Sequence, residues 1–255
     1  MSASTDVLLL RLDAPLMSFG APVVDEQGKI NPYPAQSLIT GLVANALGFD
    51  RTESEKLEDL QNRTQYAVRQ DKAGQKITDF QTVDLTTSHM SSYVWTTSGR
   101  KKRRTGKDRE ILHREYWADA VYTVAYVLDP PDKSPTLDDV KNAIKHPARP
   151  LFIGRKPCLP AASLFEEHSQ VSAARIQDAL LHGLADADTL PKCAEQKDDY
   201  AVWWPTHPNV PRPQDRDFQK PVVESIRKPV TDQRDWENQI HTGERWIAHG
   251  TLSID

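Results

Sequence analysis

The run Val7-Leu8-Leu9-Leu10-Arg11-Leu12 constrains the fold most, because its apolar residues are consecutive rather than alternating. Successive side chains of a strand point to opposite faces, so such a run belongs where both faces of a sheet are covered. A turn-rich stretch from Pro15 to Pro34 follows. Then comes QSLITGLVANALG, with apolar residues at 38, 39, 42, 43, 46 and 47, the spacing of an amphipathic helix lying on that sheet. Ser37 is its expected N-cap and Gly48 its stop. TESEKLEDLQNRT predicts a second short helix, and YAVRQD a second strand in which Tyr66 and Val68 alternate with polar neighbours.

Residues 80–115 differ in kind. They are polar, β-prone at TVDLTT and SYVWTT, and interrupted by RKKRRTGKDR at 100–109, which reads as a protruding hairpin or loop. YWADAVYTVAYVL then suits one long strand stopped by Asp129, Pro130 and Pro131, and TLDDVKNAIKHP a helix with Thr136 as N-cap and acids in its first turn. RPLFIGRKPCLP is expected to give a short apolar strand ending in a Gly-basic turn. The order βαββαβ is that of the ferredoxin-like split unit, which RNA-recognition domains use to present a sheet. Beyond Ser163 the pattern weakens to a helix around AARIQDALLHGLAD and short strands at YAVWWP, VVESIRKPV and ERWIAHGTLSI.

At 255 residues the chain is long enough for one large domain, or one domain with an appendage. Eighteen prolines against eleven glycines point to stiff connections. The single apolar run near the start lacks a basic flank and is too short for a membrane span, so a soluble, cytoplasmic protein is expected. Cys158 and Cys193 offer neither a disulfide framework nor a metal-ligand spacing, and no cofactor is expected.

Charge is unevenly placed. Residues 100–109 hold seven basic residues and one acid, and removing that +6 from the net −4 leaves −10 elsewhere. Clustered Lys and Arg release counterions from a phosphate backbone, so Arg100, Lys101, Lys102, Arg103, Arg104, Lys107 and Arg109 are candidate RNA contacts, although a like-charge run can also be only a solvated loop. Trp95, His113 and Arg114 lie close by, and aromatics beside cations suit unstacked bases. Further candidates are the helix N-terminus at Ser37, the turn Gly154-Arg155-Lys156, Arg11 on the first strand, and Phe19 with Gly20, a stacking ledge or simply a hydrophobic plug. For catalysis the sequence offers no GxxxxGK[ST], GxSxG or HExxH. His113 with Lys107 and Tyr116 is the one trio that suggests general-base chemistry on a 2′-hydroxyl. Trp203-Trp204 and the RDW run at 234–236 read as core or interface packing.

Six segments in matching order, LLLRLDAPLMSFG, PAQSLITGLVANALG, DFQT, WTTSG, YWADAVYTVAY and RPLFIGRKPCLP, closely resemble the CasD family, the fifth-numbered Cas protein family in its type I-E (Cascade) form. The resemblance covers roughly residues 6–165. It implies an α+β, ferredoxin-like (RRM-like, RAMP superfamily) body over 1–165, a β-rich thumb inserted at about 79–115, and a smaller irregular α/β section over 166–255. It further implies a non-catalytic Cascade subunit that holds the 5′ handle of crRNA. The neighbours it implies are the backbone subunit and the large PAM-recognising subunit, with target DNA met only through the complex. A type I-C branch of the family cuts precursor RNA without a metal, which keeps an endoribonuclease as the alternative. An RNA-recognition protein outside CRISPR biology is the blander reading. The stretch VTDQRDWENQIHTGERW has no role in any of these.

Overall fold

A computed structural model of the chain describes residues 4–21, 27–84, 93–95, 100–103, 109–165, 169–182, 199–206 and 222–253. It is a mixed α/β protein: among the described residues, three helices accompany a large antiparallel sheet. In chain order, β1 (Thr5–Asp13), β2 (Leu16–Met17) and β3 (Gln27–Gly28) precede α1 (Gln36–Leu47) and α2 (Ser54–Arg63). After β4 (Thr64–Lys72) the chain leaves the sheet through β5 (Gln75–Asp84), β6 (Tyr93–Trp95), β7 (Lys101–Arg103) and β8 (Arg109–Ala118). It returns with β9 (Val121–Leu128), α3 (Leu137–Lys145) and β10 (Gln170–Ala173). The last strands are β11 (Asp199–Thr206), β12 (Val222–Val230), β13 (Gln233–Asp235), β14 (Ile240–Thr242) and β15 (Arg245–Ser253).

Seven strands form the main sheet in the order β10-β1-β9-β4-β11-β15-β12. Its two faces explain the unbroken apolar run of β1. Leu8, Leu10 and Leu12 join Tyr66, Val68, Tyr122, Val124 and Tyr126 on the face packed with residues of all three helices, while Val7 and Leu9 meet Ala67, Ala125, Tyr200 and Leu180 on the other. The neighbours Trp203 and Trp204 split the same way, one into each core, which confirms them as packing residues. β4 is likewise buried on both faces, against the expected alternation. Arg69 and Asp71 lie beneath the second face as an ion pair with Thr123 beside it.

Other expectations change for identifiable reasons. Strands β11, β15 and β12, from the section expected over 166–255, extend the main sheet. The expected long strand over 116–128 is broken at Asp119, whose φ of 55° lets β8 pair with β5 in a second sheet and β9 continue in the first. No strand forms at 150–158. Pro150 and Pro157 lack ladder donors, and Gly154 turns the chain with a φ of 99°. The edge strand beside β1 is β10 instead. Of the helix expected around 173–186, the described part holds one 3-10 turn, Asp178–Leu181, whose Leu180 carbonyl and the carbonyl of His182 accept from the buried Arg69 guanidinium. Thr136 does cap α3, in a reciprocal capping box with Asp139, and Gly48 ends α1 in the left-handed conformation.

The excursion between β4 and β9 is a ribbon. β5 pairs with β8 over ten positions, from Gln75 opposite Ala118 to Asp84 opposite Arg109. β2 and β3 hold the base of β8 on its other edge, and β6 and β7 form a short hairpin.

Candidate nucleic-acid cleft

A cleft of about 380 Å³ opens where α1, the loop after β2, the turn at 152–155 and the β13–β14 hairpin meet. Each wall has its own cause. The α1 wall exists because the helix begins after an extended Ala35 that makes no side-chain cap. Ser37 is therefore not the N-cap. The capping role falls to Asp232, whose carboxylate accepts from the Gln36 N–H (3.1 Å) and whose carbonyl accepts from the Ser37 N–H (3.0 Å). Asp232 is itself gripped at both oxygens by Arg245, at 2.7 and 2.6 Å. The positive end of α1 is thus already met by the chain's own carboxylate, and the phosphate site expected there is filled. The same carboxylate, after burial itself, helps push the neighbouring Tyr33 hydroxyl up to about 12.

The turn wall is built on Gly154. A Cβ at this position would sit 1.9 Å from the Ser18 carbonyl oxygen, so the close approach expected of this glycine is made to the protein's own backbone. Ser18 donates its N–H to the Ile153 carbonyl at 3.1 Å, fixing the loop after β2 against the turn. Arg155 points back into the fold. Its Nη1 donates to the Glu115 carbonyl (2.8 Å), its Nη2 to the Gly28 carbonyl (3.1 Å), and its guanidinium lies 4.8 Å from the Tyr116 ring centre. The turn's basic character thus clamps β3 and β8 together, while Lys156 stands exposed outside the cleft.

The hairpin wall comes from the stretch that sequence reading left without a role. Gln61 of α2 exchanges two hydrogen bonds of 2.9 Å with the backbone of Arg234, and Asp235 accepts from the N–H groups of Glu237 and Asn238 to close the turn. Arg234 pairs in register with His241, and the Trp236 ring packs against Gly41 of α1. RDW is therefore packing, as its sequence suggested, but Arg234, Trp236 and His241 also line the cleft. Lys29 and Phe152 are further cleft residues that sequence reading missed. The signal for the hairpin was present as a cation, an indole and an imidazole spaced around the polar turn ENQ, without any apolar periodicity to draw attention to it.

Of the residues expected to touch RNA, Gly20, Ser37, Gly154 and Arg155 line this cleft. Phe19 does not: it is fully buried, edge-on to Tyr122 at 5.0 Å, which makes it the plug rather than the ledge. Arg11 pairs with Asp13 at 2.7 Å on β1 and contributes nothing to the cleft lining. Along the ribbon, His113 is exposed opposite Phe80, with ring centres 5.5 Å apart, and Arg114 is half-buried opposite Asp79. Trp95, Lys101, Lys102 and Arg103 are placed by their backbones in the β6–β7 hairpin, Trp95 in register with Lys101, and Arg109 ends the β5–β8 pairing. Arg100 is exposed just before β7. Arg104 and Lys107 lie outside the described residues. The suspected trio is not assembled, since His113 and the buried Tyr116 are an odd number of residues apart on one strand and face opposite sides of the ribbon. Among the described residues no group of His, Cys, Asp and Glu has the arrangement of a metal site, and no helix is long and apolar enough to cross a membrane.

Comparisons with known proteins agree with this architecture. A solved chain from a "CRISPR RNA-guided surveillance complex" superposes with a TM-score of 0.64 at 21% identity, covering 97% of this chain and 90% of that one. A second, described as a crystal structure of a Cas protein, gives 0.60 at 22% identity, covering 97% and 95%. In sequence, the "CRISPR system Cascade subunit CasD" of Escherichia coli (strain K12) is 30% identical over 167 residues, 65% of this chain and 72% of that protein. The family model described as CRISPR-associated protein (Cas_Cas5) matches residues 7–248, nearly the whole length, and the chain belongs to that family.

Proposed function

We propose that this chain is a non-catalytic subunit of a type I-E CRISPR surveillance complex that holds the 5′ handle of crRNA. The observation that carries the reading is the cleft lining: Lys29 and Arg234 supply cations and Phe152 and Trp236 supply rings, with no carboxylate side chain among the lining residues. Cations attract a phosphate backbone, and rings suit splayed bases. The family, and a relative named as a Cascade subunit, support the assignment to such a complex.

We read the body as ferredoxin-like. The order β10-β1-β9-β4, with α1 and α2 joining β1 to β4 and α3 joining β9 to β10, supports it. The ribbon between β4 and β9 is read as the thumb that meets the neighbouring backbone subunit. Phe80 is 59% exposed there, and Ile77, Val83 and Ile111 are also exposed, apolar surface that a neighbouring subunit would cover. The basic hairpin at its end adds charge for RNA. The large subunit is the other expected neighbour, and the placement of His113 and the buried Tyr116 on opposite sides of the ribbon favours the non-catalytic reading over the endoribonuclease.

Incubating the purified chain with repeat-derived RNA in EDTA tests this reading. Binding of intact handle RNA that weakens steeply with salt is expected, whereas specific cleavage overturns the non-catalytic role and absence of binding overturns the RNA role.

A further inference from the structure

Three polar atoms of one hairpin are buried without a hydrogen-bond partner among the described residues: Nε of Arg234, Nε1 of Trp236 and Nδ1 of His241. All three residues line the cleft. An arginine Nε–H and an indole N–H can only donate, and a buried donor left unmade costs free energy, so their joint presence in one wall calls for an acceptor. Among the described residues the surroundings do not supply one. Arg234 gives Nη2 to the carbonyl and side chain of Gln239, both neutral, and burial together with nearby Arg51 lowers its pKa, the direction expected of a cation lacking an anion. The hairpin is meanwhile firmly held, by Gln61 on one side and the Asp235 turn on the other. Donors fixed in advance lose little freedom when a ligand arrives.

Resting on the RNA reading above, we propose that the β13–β14 hairpin captures one unstacked nucleotide of the bound strand in this cleft. A phosphate oxygen takes Arg234, with Lys29 across the opening, and acceptor atoms of the base take Trp236 Nε1–H and His241. The volume suits a single nucleotide rather than a stacked pair, being near the lower end of small-ligand sites, roughly 300–1,000 Å³. This gives the hairpin a reading role distinct from that of the basic block, whose phosphate contacts carry no base information.

The test is a fluorescence-anisotropy titration of the full chain with handle-length RNAs that each carry one abasic nucleotide at a different position. For the unaltered protein one position is expected to lose roughly ten- to a hundredfold in affinity, the effect of leaving buried donors unpaired, and the others little. Trp236→Phe keeps the ring but removes the N–H; it should weaken intact RNA and add nothing when the sensitive position is already abasic. Arg234→Gln keeps its backbone bonds to Gln61 and should weaken every RNA, flattening the log–log salt slope by about 0.7, the share of a single neutralised phosphate. Should Trp236→Phe melt early, Arg234→Gln decides the matter alone. A uniform abasic series, or variants that bind as the unaltered protein does, overturns the nucleotide site while leaving RNA binding intact. Failure of the unaltered protein to bind any of the RNAs overturns both readings.

Discussion

Two arginines stand at the rim of one cleft and do opposite work. Arg155 sits in a Gly-Arg-Lys turn that advertises a phosphate site, yet both terminal nitrogens bond backbone carbonyls of β3 and β8 and the guanidinium lies on Tyr116. Arg234 sits in an inconspicuous Arg-Asp-Trp run, yet its Nε has no partner among the described residues, and another arginine, Arg51, acts on it to lower its pKa after burial. A guanidinium has five donors, and the first acceptors it meets decide its role. In the turn those acceptors are backbone carbonyls of two strands that have to be joined. In the hairpin the neighbouring acceptors satisfy only part of the group, and the remainder is left for something else.

The largest effect that sharpens this contrast is expected from Gly154→Val. The new Cβ would overlap the Ser18 carbonyl in a backbone conformation that β-branched residues resist, so a loss of about 4 kcal/mol or more in urea unfolding is expected. Near-normal stability with selective loss of RNA binding would return the turn to the ligand. Next comes Arg155→Ala. It removes two charge-assisted bonds to part-buried carbonyls, and a cost of about 2–3 kcal/mol is expected. RNA affinity should fall only as far as the fold loosens, which a thermal melt run beside the titration separates.

Arg234→Gln should show the reverse pattern, with stability changed by less than about 1 kcal/mol and affinity changed tenfold or more. If stability drops as much as for Arg155→Ala, the two arginines are alike and the comparison fails. The smallest effect is expected from the shared sheet. His249 stacks on Trp203 at 4.8 Å, and burial, aided by Lys228, lowers its pKa. The unfolded chain therefore binds the proton more readily, and stability should fall as pH drops through the ordinary histidine range near 6.5. His249→Phe keeps a ring on Trp203 and should flatten that decline. An unchanged difference in urea midpoint between pH 7.5 and 5.5 would remove His249 from the account.

Much of the architecture was legible in the order of residues. The continuous apolar run of β1, the 3.6-residue spacing of α1, the capping box at Thr136 and the left-handed Gly48 each rest on contacts within a few residues or on burial that a pattern records. The strands at 199–206, 222–230 and 245–253 were legible too, but not their destination, since nothing local says which sheet edge a strand joins. Failures occurred where a distant group settled a local choice. Ser37 yielded the capping role to Asp232, which lies 196 positions beyond the Gln36 it caps, and the 178–181 turn stayed short with carbonyls turned to Arg69.

The same division holds for the candidate site. Residue types alone determined that this chain carries a concentrated positive block beside β-prone, aromatic segments, because charge and propensity are properties of single residues and their neighbours. Which cations are spent on the fold and which keep an unpaired donor was decided only by tertiary structure. Satisfaction of a donor depends on acceptors that folding brings from elsewhere: Glu115 and Gly28 reach Arg155, and no acceptor among the described residues reaches the Nε of Arg234.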